Sequence, residues 1–251
     1  MKLWKRLLAI PIAASLVMGL LPAPTLAADT SAHSHPICGA AHADIGDHTG
    51  TCDAVTWTAW NGTDEITYDA DTKTAYVYLA GEVTRDVTLN IEADYTLYLC
   101  LDGHSMTSSA TDKEVIYARN GANFILCDCT GGGKITHSPN VTGRGIRVSQ
   151  GGSNKASFTM YGGEISGNHG GNGAGIETQN GTVTMYGGTI SDNHVVAASN
   201  YGGGGVCAHS GGRFTMYGGT ISNNESTING GGGVTVWGGG LVTIAGGTIS
   251  G

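Results

Sequence analysis

Positive charge is the first thing this chain is short of. Its 251 residues include 12 Lys+Arg against 20 Asp+Glu, and charged residues make up only 13% of the whole. A polyanionic nucleic acid requires a basic footprint, so that class of partner is excluded. The sparse charge also sets the chain apart from the highly charged composition of disordered proteins. Long hydrophobic runs are missing too. The apolar stretch "LLAIPIAASLVMGLL" is short and broken by Pro11, which argues against a retained transmembrane helix. Glycine is plentiful, at 43 residues, yet no Gly-X-Y period runs through it, so a collagen-like rod is excluded.

What is present begins with an export signal. "MKLWKR" is a basic n-region, the apolar stretch is an h-region, and "PAPTLA" offers cleavage after Ala27. Residues 1–27 are therefore expected to be a signal peptide, and the chain to be secreted, extracellular or at a bacterial cell surface. Loss of Lys2, Lys5 and Arg6 leaves nine basic residues against 20 acidic ones, a net charge near −11.

Glycine is concentrated in the second half, with 35 of the 43 in residues 131–251. Each interior glycine costs a helix about 1 kcal/mol relative to alanine, so the segment must turn tightly and often. Within it "FTMYGGEIS", "VTMYGGTIS", "FTMYGGTIS" and "VTIAGGTIS" begin at Phe158, Val183, Phe214 and Val242. Self-similarity at such a period marks a repeat architecture.

Three apolar columns run through the repeats. One is Ile116, Ile146, Ile176, Val206 and Val234, in steps of 30, 30, 30 and 28. A second is Phe124, Phe158, Val183, Phe214 and Val242, each followed two residues later by Leu126, Met160, Met185, Met216 and Ile244. The third is Ile135, Ile165, Ile190, Ile221 and Ile249. Three short alternating segments per repeat read as three strands with glycine corners. Stacked coil on coil at ~4.8 Å, they form a parallel β-solenoid. A β-propeller blade has four strands and needs nearer 40–45 residues.

The expected organisation follows: a His/Cys-containing linker over 28–54, a cap and irregular first rungs over 55–115, and regular rungs over 116–251. The chain stops within a rung at Gly251, which reads as a truncation. In register, Thr159, Thr184, Thr215 and Thr243 should form an outward ladder and Tyr161, Tyr186 and Tyr217 an aromatic column. Asn168, Asn193 and Asn224 should form a hydrogen-bonded ladder of the kind seen in cross-β stacks, structural rather than ligand-binding.

"WTAW", "LYLCLDGHSM", "VIYARNGANFILCDCTGGGKIT" and the "GGTIS" repeats resemble the secreted right-handed parallel β-helix proteins of gut Firmicutes and related bacteria, within the pectin-lyase-like superfamily. The resemblance spans roughly residues 55–251. It implies an all-β, right-handed β-helix in an extracellular setting. That superfamily includes polysaccharide lyases and galacturonan hydrolases, so catalysis must be weighed.

Hydrolysis needs two flanking carboxyls, and a lyase needs a base with acidic residues holding Ca²⁺. The outward positions of the first sheet are Tyr117 and Arg119, Arg147 and Ser149, Glu177 and Gln179, Cys207 and His209, Thr235 and Trp237. Only Glu177 is acidic there, with Arg147 one rung away as its partner. On the third sheet Glu164 faces Lys134 and Asp192 stands alone at a turn. No two carboxylates are neighbours in this reading, so no catalytic residue is assigned. The same face offers Tyr117, Arg147, Glu177, Gln179, His209 and Trp237 as a candidate ligand-binding surface, with aromatic platforms and hydrogen-bonding groups suited to sugars. An ordinary solvated sheet face is the alternative.

"HSHPICGAAHADIGDHTGTC" over residues 33–52 clusters His33, His35, Cys38, His42, His48 and Cys52. Zinc at His35, Cys38, His48 and Cys52, a Cys38–Cys52 disulfide, and a plain linker all fit. No other cofactor is expected. Cys100 and Cys127 occupy matching places in successive rungs, so a disulfide between them is a further candidate. Cys129 and Cys207 have no evident partner.

The reading is a non-catalytic, surface-displayed β-helix acting as an adhesin-like or stalk module that contacts cell-surface or host glycans, or other surface proteins. The alternative is the N-terminal part of a polysaccharide lyase or glycoside hydrolase whose active face lies beyond residue 251.

Overall fold

The computed structural model describes residues 56–151, 154–196, 201–227 and 229–251. Residues 1–55 lie outside the described set, and with them the expected signal peptide and the whole His35/Cys38/His48/Cys52 cluster. The described chain is all-β. Its strands form sheets of eight, six, seven and three members, every pairing parallel. They stack as a β-solenoid of about six turns.

One rung shows the plan. Gly143–Ser149 lies in the first sheet, Ser157–Met160 in the second and Glu164–Ser166 in the third. Each strand pairs with its counterpart one rung along. Ile116, Ile146, Ile176, Val206 and Val234 are in register. So are Phe124, Phe158, Val183, Phe214 and Val242, and Ile135, Ile165, Ile190, Ile221 and Ile249. The three sequence columns are thus three stacked rows, and all but the last rung's members are fully buried. Phe124 and Phe158 stack inside with ring centroids 5.0 Å apart.

The period-2 alternation explains the rest. Thr159, Thr184, Thr215 and Thr243 lie in register on the outside. The tyrosine column stacks at 5.0 Å for Tyr161–Tyr186 and 5.2 Å for Tyr186–Tyr217.

A fourth, three-stranded sheet was not expected from the sequence. It pairs His169–Gly170, His194–Val195 and Glu225–Ser226. Its strands follow directly on the asparagine ladder, which the structure turns inward. Asn168 Nδ2 donates to Asn193 Oδ1 at 2.9 Å, and Asn193 Nδ2 donates to Asn224 Oδ1 at 2.9 Å. Each amide also donates to the carbonyl of the isoleucine one rung back, from Asn168 to Ile135, Asn193 to Ile165 and Asn224 to Ile190. Buried backbone carbonyls at the corner are thereby satisfied. One rung earlier His137 takes the asparagine's place, its Nδ1 donating to Asn168 Oδ1 at 2.7 Å. Burial holds the His137 imidazole below its ordinary pKa.

At the first end, Thr58–Trp60 adds a strand to the second sheet and pairs with Thr74–Leu79. Trp60 is buried, and Ile66, Tyr68 and Tyr95 pack against the core. This segment covers apolar surface that a terminal rung would otherwise expose. The three-sheet register itself already starts with Thr74–Leu79, Val83–Arg85 and Leu89–Ile91.

Candidate functional site

The outer face of the first sheet carries two columns. Tyr117, Arg147, Glu177, Cys207 and Thr235 form one, and Arg119, Ser149, Gln179, His209 and Trp237 the other. Their register is as the alternation implies. Their environment is not that of an open face, because Glu177 is 3% exposed, His209 5% and Cys207 0%.

Glycine runs cause this burial. Segments 170–175 and 201–205 fold back over the sheet and pair with one another, Gly173 N donating to Gly202 O at 3.0 Å and Gly175 N to Gly204 O at 2.9 Å. Gly173 has φ +60°, and a Cβ there would stand 2.9 Å from the Glu177 Cα. Gly203 has φ +77°, and its Cβ would stand 3.0 Å from the Cys207 Cβ. Only a residue without a side chain can take that backbone conformation so close to the strand beneath.

Under this cover lies a charged network. Glu177 Oε2 is 3.0 Å from Arg147 Nε and 3.4 Å from Arg144 Nε. Glu114 Oε1 is 3.4 Å from Nη1 of each arginine. The Arg147–Glu177 contact is Coulombic rather than a directed hydrogen bond, since neither Arg147 Nε nor Glu177 Oε2 has a hydrogen-bond partner. His209 Nε2 faces Glu177 Oε1 at 3.1 Å, and its Nδ1 faces Ser210 Oγ at 3.0 Å. Arg147 also donates to Gln179 Oε1 at 3.3 Å.

Two carboxylates therefore do come together on this face, contrary to the sequence expectation, though through two shared arginines. Glu114 was missed because Lys113–Arg119 and Gly143–Ser149 run seven residues. They place Glu114 opposite Arg144, ahead of the first apolar position.

Burial alone would raise the Glu177 carboxyl. The hydrogen bond from His209 and the charges of Arg144 and Arg147 outweigh it and hold Glu177 below the usual carboxylate value. Burial pushes the Cys207 thiol up to about 12, with Glu177 adding to the effect. An ionised Glu177 locked to two guanidiniums is poorly suited to donate a proton as a general acid.

The aromatic groups sit around the rim. Tyr201 tilts over His209 at 5.0 Å and stacks with Trp237 at 5.8 Å, and Trp237 is 58% exposed. Both Arg119 and Arg147 lie 5.3 Å from the Tyr117 ring, whose hydroxyl meets Ser149 Oγ at 2.8 Å. Of the six predicted face residues, the structure joins Arg147, Glu177, Gln179 and His209 in one network. Tyr117 touches it through Arg147, and Trp237 reaches it through Tyr201, which sequence reasoning had not singled out.

On the third sheet Lys134 Nζ meets Glu164 Oε2 at 3.1 Å, the expected cross-strand pair. Cys100 and Cys127 are in register as anticipated. The Cys100 sulfur, however, meets Cys129 Sγ at 3.0 Å. Among the described residues no helix is long and apolar enough to cross a membrane.

No protein-family model, curated protein or solved structure matches the chain. The resemblance drawn from sequence thus rests on the parallel β-solenoid alone.

Proposed function

We propose that this is a secreted, surface-displayed β-helix of the right-handed, pectin-lyase-like kind, working as a non-catalytic adhesin-like or stalk module that contacts glycans. The observation that carries this reading is the exposed Trp237 ring stacked on Tyr201, at one end of a sheet face that carries the hydrogen-bonded pair Gln179 and Arg147 two and three rungs back. A sugar ring is held by stacking on an aromatic face with polar groups fixing its hydroxyls. The buried Glu177 and His209 hold that surface rigid and do not touch the ligand. Rigidity reduces the entropy lost on binding.

The test is a titration of the chain lacking residues 1–27 with wall polysaccharides, mucin-type glycans and homogalacturonan, read by tryptophan fluorescence. Trp57 and Trp60 are buried, so a saturable change should come from Trp237 and vanish in Trp237→Ala. A flat response to every glycan in the panel would overturn the reading.

A second reading draws on the Glu114–Arg144–Arg147–Glu177 network, which unites carboxylates with the arginine a lyase uses as base. It predicts release of unsaturated uronates or reducing sugars in the presence of Ca²⁺, lost in Glu177→Gln. We expect no such release.

A further inference from the structure

Three thiols stand together on the outer side of the second sheet. Cys100 closes the strand Thr96–Cys100 and Cys127 closes Asn123–Cys127, in register one rung along. Cys129 follows two residues later, where the chain turns back. The three sulfurs all lie within 4.8 Å of one another. Cys100 and Cys127 are buried beneath Trp57 and Tyr78, with Tyr98 and Tyr161 packed against them, while Cys129 is half-buried and faces solvent.

The turn that brings Cys129 back is pinned. The Asp128 carboxylate accepts from Gly103 N at 2.8 Å, Gly131 N at 3.2 Å and Gly133 N at 2.8 Å. Asp102 Oδ1 accepts from Thr130 Oγ1 at 2.6 Å. Both nearby carboxylates are therefore committed to the backbone and turn. The sulfurs are left as the donors, on strand ends and a turn held by hydrogen bonds.

We propose that Cys100, Cys127 and Cys129 form a three-sulfur site for zinc(II), with its fourth position open to water on the Cys129 side. A tetrahedral zinc with bonds of ~2.3 Å needs sulfurs about 3.8 Å apart, a spacing these side chains reach with small rotations. Thiolates favour soft and borderline cations over calcium or magnesium. Charge favours a divalent ion: three thiolates carry −3, and zinc leaves only −1 in a half-buried place.

Binding breaks three S–H bonds, forms three Zn–S bonds and releases three protons to solvent, with no change of oxidation state. The Cys127 and Cys129 thiols are held above the ordinary range, the contact with Cys100 leading for both and burial adding to it. Zinc must displace those protons, so affinity should rise with pH. The site shares no residue with the His/Cys cluster before residue 55 and is independent of the glycan reading.

The experiment uses the full chain carrying Cys38→Ser and Cys52→Ser, which removes the other thiols with metal-binding neighbours, kept reduced and anaerobic. Zinc is titrated against a chromophoric chelator, and cadmium is followed by sulfur-to-metal charge-transfer absorption. We expect one equivalent per chain, proton release, a raised melting temperature with zinc, and binding weakened about tenfold or more in Cys129→Ala. Cys129 is half-buried, so that variant should keep the parent's metal-free melting temperature. Cys207→Ser should bind as the parent does. No stoichiometric uptake, or equal uptake by Cys129→Ala, would overturn the site. So would a Cys100–Cys129 disulfide in protein isolated anaerobically without reductant, because oxidised sulfurs hold no zinc.

Discussion

Glu177 is the residue whose chemistry depends most on its neighbours. It is buried yet ionised, because Arg144, Arg147 and His209 outweigh the cost of removing its charge from water. A carboxyl whose folded pKa is lowered stabilises the fold above its ordinary value of 4.5 and loses that contribution as pH falls through the lower folded value. Removing one partner of a buried ion pair costs about 3–5 kcal/mol. Here Glu114 still holds both arginines, so Glu177→Gln should cost nearer 2 kcal/mol at neutral pH. In urea unfolding the gap between parent and variant should close as pH drops below the usual carboxylate range. A gap that stays constant on acidification would mean that Glu177 is protonated in the native chain.

At the scale of elements, strands and loops differed in how much of them could be read. Every strand register tested by the three apolar columns was legible, because alternation at period 2 puts Ile, Phe and Met on one face and a slip of one residue would expose them. The inward asparagine ladder was legible as a ladder, since equal spacing from Ile165, Ile190 and Ile221 forces Asn168, Asn193 and Asn224 into line. The burial of Glu177, Cys207 and His209 was not. It depends on glycine runs that fold over the sheet, and a glycine has no side chain to signal which way its loop turns. Cys129 was left without a partner in the sequence for a related reason: it lies beyond its strand, where register gives no position. The loops' role is testable at Gly203, whose φ is +77° and whose added Cβ would stand 2.5 Å from Val206 O. Gly203→Ala should cost more than about 1 kcal/mol and lift the loop from Cys207. The thiol, now buried and pushed up to about 12, should be nearly inert to a disulfide reagent in the parent and react faster in the variant. Unchanged labelling would show that the loop does not cover it.

For the whole molecule, stacking means that a rung's energetics depend on having neighbours on both sides. Val206 is paired with Ile176 on one side and Val234 on the other and is fully buried. Ile249 belongs to the equivalent apolar row of another sheet, but it pairs only with Ile221 and is 44% exposed. A carboxylate placed at Val206 enters an apolar column where protonation is its only relief. Val206→Asp should therefore cost about 4 kcal/mol or more. At Ile249 the same charge keeps contact with water, so Ile249→Asp forfeits only part of one side chain's burial, about 1 kcal/mol. Denaturant unfolding of the two variants beside the parent gives both numbers. A large difference is what a continuous core running through stacked rungs requires. Equal and small losses would mean that Val206 is not enclosed between its neighbours. Equal and large losses would mean that the last rung is as well covered as the middle ones.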